Sequence, residues 1–291
     1  MNAAAAFPSG YELAPMTRIE ADQLGNWAAE EGWNPGHADI DVAWGFDPDA
    51  FIALRKDGAL AGGATIIAYG DAAGFLGLYI MRRDLRRQGL GRLFWQALLR
   101  RHEARLRPHA PIGLDGVFDM APFYAADGFR LLYRDLRYEG LAAGQADAAA
   151  VPLDDIGWDA LAGYDAAVSG ITRPGFMRRW LSVPGGKGFA LRHADGSIGG
   201  YGFARPCRSG YKIGPLYADD AAIAGRLLET LLSVIPGAPV ALDVPEPNAA
   251  APKLVAERGW RPSFGCARMV RGGSVSTPTD RIFGVTSFEF G

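Results

Sequence analysis

The sequence has few of the residues that build metal centres, redox pairs or membrane spans. Its 291 residues include only two cysteines, Cys207 and Cys266, and four histidines. The cysteines lie far apart and match no metal-ligand or redox spacing, so we predict no metal site. We expect both cysteines to be reduced and buried, with a disulfide as the alternative. No apolar run is long enough to cross a bilayer.

A strong charge of one sign is missing too. The formal net charge is −2, which predicts no general attraction to nucleic acid or to an anionic membrane surface. The first ten residues, MNAAAAFPSG, contain no basic segment and no apolar core. The sequence therefore does not predict a signal peptide. We expect a cytoplasmic protein without a nucleic-acid or membrane partner.

The composition is that of a folded chain with room for two domains, 49% hydrophobic and 21% charged. Residues 140–150, GLAAGQADAAA, are small and without periodicity, and we interpret them as a linker. Similar segments recur in the same order on both sides of it. Leu78-Tyr79, for example, reappears as Leu216-Tyr217. The order predicts a duplicated α/β unit, with domains at residues 1–141 and 142–291.

Periodicity predicts the elements of the first half. Apolar alternation predicts a hairpin from strands 51–56 and 60–69, followed by a strand at 75–81. Apolar residues then recur at helical spacing from Leu90, and 111–118 predicts another strand. Because a helix separates the last two strands, we expect them to be parallel neighbours.

The turn before that helix reads Arg86-Arg87-Gln88-Gly89-Leu90-Gly91. Alternate glycines let backbone N–H groups approach a ligand, and the helix directs its N-terminal amides and dipole at the same point. We therefore expect an anion there, and a pyrophosphate fits better than a carboxylate. The turn is not a P-loop, because no Gly-Lys-Ser/Thr follows the glycines, and it is not a dinucleotide fingerprint, because the three-glycine spacing is absent. A tight turn with solvated arginines is the alternative.

A second motif follows at 124–129, where a tyrosine lies four residues before Gly128-Phe129. The two motifs together resemble the GNAT superfamily of acyl-CoA-dependent N-acetyltransferases, whose phosphate-binding signature is Gln/Arg-x-x-Gly-x-Gly/Ala. The whole chain resembles tandem members with a degenerate second unit, and EGWNPG at 31–36 is similar to a loop of that subgroup. The implied fold is α/β (α+β): two GNAT-like domains, each a mixed central sheet with a splayed parallel strand pair flanked by helices.

The resemblance implies acetyl-CoA as co-substrate. Backbone groups of Ile80 and Met81 would pair with the pantetheine arm, and a backbone N–H near Met81 would polarise the thioester carbonyl. Tyr124 is the implied general acid for the leaving sulfur, with a capped core tyrosine as the alternative. The residues implied to bind the cofactor are Ile80, Met81, Arg86, Arg87, Gln88, Gly89, Leu90, Gly91 and Arg92.

No general base is evident from the motifs. Glu31, at the end of a predicted helix, is our first candidate, and Glu30, Asp115 or a water chain are alternatives. Residues on the following loop and one acid of the second half are candidate substrate contacts. These are Trp33, Asn34 and Asp243. A loop pinned to the core by Trp33 and Trp44 is the competing explanation for the loop residues, and helix capping or surface pairing is that for Asp243.

The second copy differs at the position of the phosphate turn. It reads YADDAAIAG, without arginines and with Asp219 and Asp220. These acids would cap the next helix but repel a phosphate. We therefore expect the second half to be structural or to shape the acceptor pocket.

The predicted reaction is transfer of an acetyl or other acyl group from acyl-CoA to a small-molecule amine within a ternary complex. A non-catalytic acyl-CoA sensor is the first alternative, and a scaffold that has lost the cofactor is the second. The acceptor and the acyl-chain preference are left open. The duplication predicts either a monomer, in which the halves form an internal pseudo-dimer, or a homodimer.

Overall fold

A computed structural model describes residues 7–291; residues 1–6, part of the segment considered for a signal peptide, lie outside it. Within residues 7–291, no helix is long and apolar enough to cross a membrane. The helices are α1 Arg18–Glu30, α2 Asp39–Phe46, α3 Leu90–Glu103, α4 Ala121–Ala125, α5 Trp158–Ser169, α6 Pro174–Trp180, α7 Ala221–Ser233 and α8 Ala250–Ala256. The strands are β1 Tyr11–Pro15, β2 Phe51–Lys56, β3 Ala59–Tyr69, β4 Ala73–Met81, β5 Ile112–Val117, β6 Arg130–Leu141, β7 Val151–Pro152, β8 Lys187–Arg192, β9 Ile198–Pro206, β10 Tyr211–Ala218, β11 Pro239–Pro245, β12 Arg261–Arg271 and β13 Ile282–Gly284.

The strands form one continuous mixed sheet in the order β1-β2-β3-β4-β5-β12-β6-β11-β10-β9-β8-β7, and β13 adds to β10. This order means that the two halves exchange a strand. β6 of the first half pairs with β11 of the second, and β12 of the second half pairs with β5 of the first. The predicted fold class is confirmed, and the exchange is an addition that the sequence did not indicate. The domain boundary at residues 141 and 142 stays a prediction.

The predicted linker begins too early. Gly140 and Leu141 continue β6, where they pair with Val240 and Pro239 of β11. Glycine is required at position 140, because a Cβ there would lie 2.2 Å from the ring of Trp260. A glycine that looks like a linker residue in the sequence therefore serves close packing.

The predicted parallel pair is present, but it is short. β4 and β5 pair only through Gly74 and Phe75 of β4, and the strands separate beyond that point. A bulge lies in the separated part of β4, where Leu78 and Tyr79 face one residue of β3. Leu78 adopts a φ of 49°, a costly conformation for a non-glycine residue. Because a bulge bends its strand, a gap opens between β4 and β5.

The second half repeats this geometry with a different outcome. β10 and β11 are parallel and paired up to Ile213. Beyond it, β13 pairs antiparallel with β10 at Leu216 and Tyr217, the residues that repeat Leu78-Tyr79. A strand of the chain itself therefore lies where the first half has an open gap.

Apolar clusters cover both faces of the sheet. α3 and α4 pack on the strands of the first half, and α7 and α8 pack on those of the second. The opposite face carries a shared core that includes residues of α1, α2, α5 and α6. Residues 285–291, which we call the tail, enter this shared core, and Phe290 is fully buried there. The tail thus lies between the two halves.

Candidate active site

A cavity of about 590 Å³ lies in the gap between β4 and β5. Its walls come from both strands, the turn before α3, the region around α4, the exchanged strand β12 and the tail. Seven of the nine predicted cofactor residues line it: Ile80, Met81, Arg86, Arg87, Gly89, Gly91 and Arg92. The other two contribute only backbone to this turn: the Gln88 side chain donates a hydrogen bond to the Asp84 carbonyl oxygen, and the Leu90 side chain is buried.

The turn from Arg87 to Gly91 presents backbone N–H groups without protein partners. Within residues 7–291, none of the five consecutive amides has a hydrogen-bond acceptor. Arg87 and Gly89 have φ values of 62° and 80°, so the backbone curves into a concave nest of the kind that binds anions. Gly89 is also the N-cap of α3 and offers no side-chain cap. The geometry is therefore that of an anion site at a helix N-terminus.

Gly91 lets the start of α3 approach β4. The Tyr79 hydroxyl donates a hydrogen bond to the Gly91 carbonyl oxygen at 2.7 Å. A Cβ at residue 91 would lie 2.8 Å from that hydroxyl. Gly89, by contrast, has open space around it and is needed for its left-handed backbone. The two glycines of the motif thus have different physical roles.

The arginines beside the cavity are held by different partners. Arg86 donates to the Met81 carbonyl oxygen at 2.8 Å, which ties the turn to the end of β4. Arg92 pairs with Asp127 at 2.6 Å, and Asp127 also accepts a hydrogen bond from Trp95 at 2.8 Å. Arg87 is exposed. Asp127 therefore joins the first turns of α3 to the tyrosine motif.

Glu31 lines the cavity, but its carboxylate is already paired. It lies 2.8 Å from Arg86 and 3.4 Å from Arg83. The hydrogen bond from Arg86 holds the pKa of Glu31 below its ordinary value. A carboxylate bound by two guanidinium groups is a poor proton acceptor. These contacts favour a positioning role for Glu31 over the base role predicted from the sequence.

Tyr124 lies in α4, lines the cavity and is 7% exposed. Its ring packs against Trp95 with the centroids 4.9 Å apart. Gly116 of β5 makes room for it, because a Cβ at 116 would lie 2.3 Å from the ring. Burial raises the pKa of Tyr124, so the hydroxyl stays protonated at neutral pH.

The structure brings one of the three predicted substrate contacts to the cavity. Trp33 lines it. Asn34 instead exchanges hydrogen bonds with the backbone of Ser209, at 3.0 and 2.8 Å. Asp243 is 5% exposed and both its oxygens accept hydrogen bonds from Arg137. The contacts favour structural roles for Asn34 and Asp243.

Two further acids and a thiol lie near the inner wall. Asp115 lines the cavity and accepts two hydrogen bonds of 2.6 Å from Arg268. Burial raises the pKa of Asp115, and that of its neighbour Asp135 by more. Burial also raises the pKa of Cys266 well above its ordinary value. A protonated thiol is a weak nucleophile, which disfavours an acyl-cysteine route.

Residues of the second half were missed by the sequence reasoning. Phe264 and Cys266 of β12 line the cavity, and so do Phe288 and Glu289 of the tail. β12 reaches the cavity through the strand exchange, which no local pattern indicates. The alternating residues of TSFEF at 286–290 indicate only a strand.

The fold and the cleft define a GNAT-type acyltransferase. A model of the acetyltransferase (GNAT) family matches residues 15–129, and a model of the acetyltransferase (GNAT) domain matches residues 161–284. The chain belongs to the GNAT family and contains two such domains in tandem.

Known proteins resemble the chain over nearly its full length. It is 27% identical over 283 residues to holothin acyltransferase of Pseudoalteromonas sp. (strain SANK 73390), covering 95% of this chain and 93% of that protein. A Pyrococcus horikoshii structure described as an acetyltransferase gives a TM-score of 0.83 at 18% identity, covering 100% and 99% of the two chains. A tandem GNAT protein from the clavulanic acid biosynthesis pathway gives 0.62 at 15% identity, covering 91% and 99%. The likeness to these structures concerns the fold.

Proposed function

We propose that the first half transfers an acetyl or other acyl group from acyl-CoA to the amine of a small molecule. The observation that carries the proposal is the row of five amides from Arg87 to Gly91, which have no hydrogen-bond acceptor within residues 7–291 and border a cavity between diverging strands. A pyrophosphate matches this row because several donors converge at a helix N-terminus. The similarity to an acyltransferase named for holothin supports a small-molecule acceptor.

The residues present fit acyl-CoA along its length. Beyond Phe75 the edge of β4 has no β5 partner, so an extended pantetheine arm can add to it as a strand. The second half supports this interpretation, because β13 adds to β10 at the corresponding residues. Bound acyl-CoA supplies an activated thioester, and the residues around Ile80 and Met81 would hold it.

The chain's own groups then account for the chemistry. A backbone N–H near Met81 would donate to the thioester carbonyl oxygen as negative charge develops there. Tyr124 would give its proton to the leaving sulfur. The buried thiol of Cys266 favours direct attack by the amine within a ternary complex over a covalent enzyme intermediate.

We further propose that the second half binds no acyl-CoA. β13 fills its gap. Asp220 caps α7 by accepting a hydrogen bond from the Ile223 amide at 2.8 Å, and Asp219 pairs with Arg281. Both acids would repel a phosphate at the N-terminus of that helix.

Two measurements test the function. Thiol release from acetyl-CoA is followed with a panel of primary amines, and acetyl-CoA binding is measured by calorimetry. We expect amine-dependent release and one binding site per chain. Binding without turnover for every amine would favour the sensor, and absence of binding heat would favour the scaffold. Two sites per chain would contradict the assignment of the second half.

A further inference from the structure

The tail brings into the cavity a carboxylate that the mechanism above does not use. Glu289 lines the cavity and is 5% exposed. The tail passes directly over β4, since a Cβ at Gly77 would lie 1.9 Å from the Glu289 carbonyl oxygen. The Ser287 hydroxyl donates to Oε2 of Glu289 at 2.5 Å and thereby orients the side chain.

Glu289 differs from the other carboxylates that line the described part of the cavity. Glu31 is bound by Arg86, and Asp115 has both oxygens on Arg268. A carboxylate held by guanidinium groups in this way has little capacity left for a ligand.

The Oε1 atom of Glu289 has a more distant ionic partner than the other two carboxylates. Its ionic partner is the Lys212 ammonium, 3.8 Å away, which is beyond hydrogen-bond distance. Lys212 instead donates to the Trp33 carbonyl oxygen at 2.9 Å, and burial lowers the pKa of Lys212. Oε1 can therefore accept a hydrogen bond from an N–H group of a ligand.

Charged groups on several strands lie close enough to Glu289 to interact with it electrostatically. They are Asp115 on β5, Arg137 on β6, Arg205 on β9 and Lys212 on β10, and the Cys207 thiol after β9 is also near. Any of these groups could contribute to the pH dependence of the rate, so a pH effect can be assigned to Glu289 only with a substitution that leaves the other groups in place. Glu289→Gln does so, because it preserves the size of the side chain.

Aromatic side chains line the same cavity from three different elements. Trp33 follows α1, Phe264 lies on β12 and Phe288 precedes Glu289 in the tail. The Arg137 guanidinium lies 5.4 Å and 5.3 Å from the rings of Phe264 and Phe288, so these rings are already fixed. Aromatic walls favour a flat apolar ligand and also attract a cation.

We propose that Glu289 is the proton acceptor for the amine, and that it forms with Trp33, Phe264 and Phe288 the site for a primary amine on a flat apolar body. This proposal rests on the proposed function. The second half thus contributes a catalytic carboxylate through the tail, although its own gap is filled.

The ammonium gives one proton to Glu289, and the neutral nitrogen forms a bond to the acyl carbon while the carbon–sulfur bond breaks. Tyr124 gives its proton to the leaving sulfur, and the second proton that nitrogen loses as the amide forms goes back to the Tyr124 oxygen. The proton on Glu289 leaves to solvent after the amide is released.

The test compares wild type, Glu289→Gln, Ser287→Ala and the exposed control Glu257→Gln. Rates are measured at saturating acetyl-CoA over a range of pH, with the panel amine that wild type turns over fastest. We expect Glu289→Gln to lower kcat by about 10²–10⁴-fold. The deficit should shrink as the pH approaches the pKa of the amine, because the free amine then needs no base. CoA affinity should be unchanged, and Glu257→Gln should match wild type.

Ser287→Ala separates loss of the base from displacement of the tail, because it keeps the carboxylate. We expect a partial loss of kcat with an unchanged pH profile. An unchanged kcat in Glu289→Gln would overturn the proposal, and so would an equal deficit at every pH together with weakened CoA binding. If wild type turns over no amine, the proposed function fails and this proposal fails with it.

The panel includes benzylamine and methylamine to test the acceptor class. A higher kcat/KM for benzylamine supports the flat apolar site. Equal values, or a preference for methylamine, would overturn that part of the proposal.

Discussion

Arg137 and Asp243 form a buried bidentate ion pair that joins the two halves of the chain. Nε and one terminal nitrogen of Arg137 donate to the two carboxylate oxygens at 2.6 and 2.9 Å. The residues are register partners on β6 and β11, so the pair joins a strand of the first half to a strand of the second. Arg137 also donates to the Trp33 carbonyl oxygen at 3.0 Å. The pair therefore connects the strand exchange with the wall of the cavity.

Breaking this pair should destabilise the whole chain. Asp243→Asn leaves the Arg137 charge buried without a partner, and we expect a loss of about 3–5 kcal/mol in the free energy of unfolding. Arg137→Met should cost a similar amount. The double variant Arg137→Met, Asp243→Leu should lose less than the sum, because it buries no charge. Urea unfolding gives the double-mutant cycle, and additive losses would contradict the coupling.

Tyr124→Phe tests the predicted general acid. The ring contact with Trp95 is kept and only the proton donor is lost. We expect kcat to fall by about 10²-fold or more, with CoA affinity nearly unchanged. Tyr211→Phe on β10 is the matched control and should leave turnover intact. An unchanged rate in Tyr124→Phe would mean that another group protonates the sulfur.

Glu31→Gln distinguishes positioning from base catalysis. Because the pKa of Glu31 is lowered in the folded protein, its ion pairs stabilise the fold above the unfolded-state pKa. That contribution is lost as the pH falls through the folded-state pKa. The thermal midpoint of wild type should therefore exceed that of the variant at neutral pH, and the difference should shrink in acid.

The kinetic result for Glu31→Gln is predicted separately. A partly exposed pair contributes about 0–1 kcal/mol, so CoA affinity should change by no more than about fivefold. The pH dependence of kcat should match that of wild type. If the fall of kcat at low pH disappears in Glu31→Gln, the result would indicate that Glu31 is the base.

The parts of the site that depend on local sequence could be predicted. Gly89 and Gly91 specify the turn before α3, because a left-handed backbone and a close approach are local requirements. Tyr124 could be predicted for the same reason, because it and Gly128 belong to one short continuous motif. The fold class and the splayed strand pair were implied by the resemblance of these motifs to the GNAT superfamily.

The parts that depend on contacts between distant segments could not be predicted. Cys266 reaches the cavity because β12 is exchanged, and hydrophobic patterning does not distinguish pairing with β5 from pairing within its own half. Glu289 lies 212 residues after Gly77, the glycine that makes room for it. Asp243 looked like a free polar residue because its partner Arg137 lies in the other half.

The central claim is that the amides from Arg87 to Gly91 bind the diphosphate of CoA. Calorimetry with CoA and with pantetheine, which lacks the diphosphate, tests it in wild type, in Gly89→Asp and in the control Gly58→Asp. Gly58 has a φ of 81° and open space, as Gly89 does. We predict that wild type and Gly58→Asp bind CoA at least about 100-fold more tightly than pantetheine, and that Gly89→Asp loses most of this difference. Equal affinities for the two ligands in wild type, or an undiminished difference in Gly89→Asp, would contradict the account.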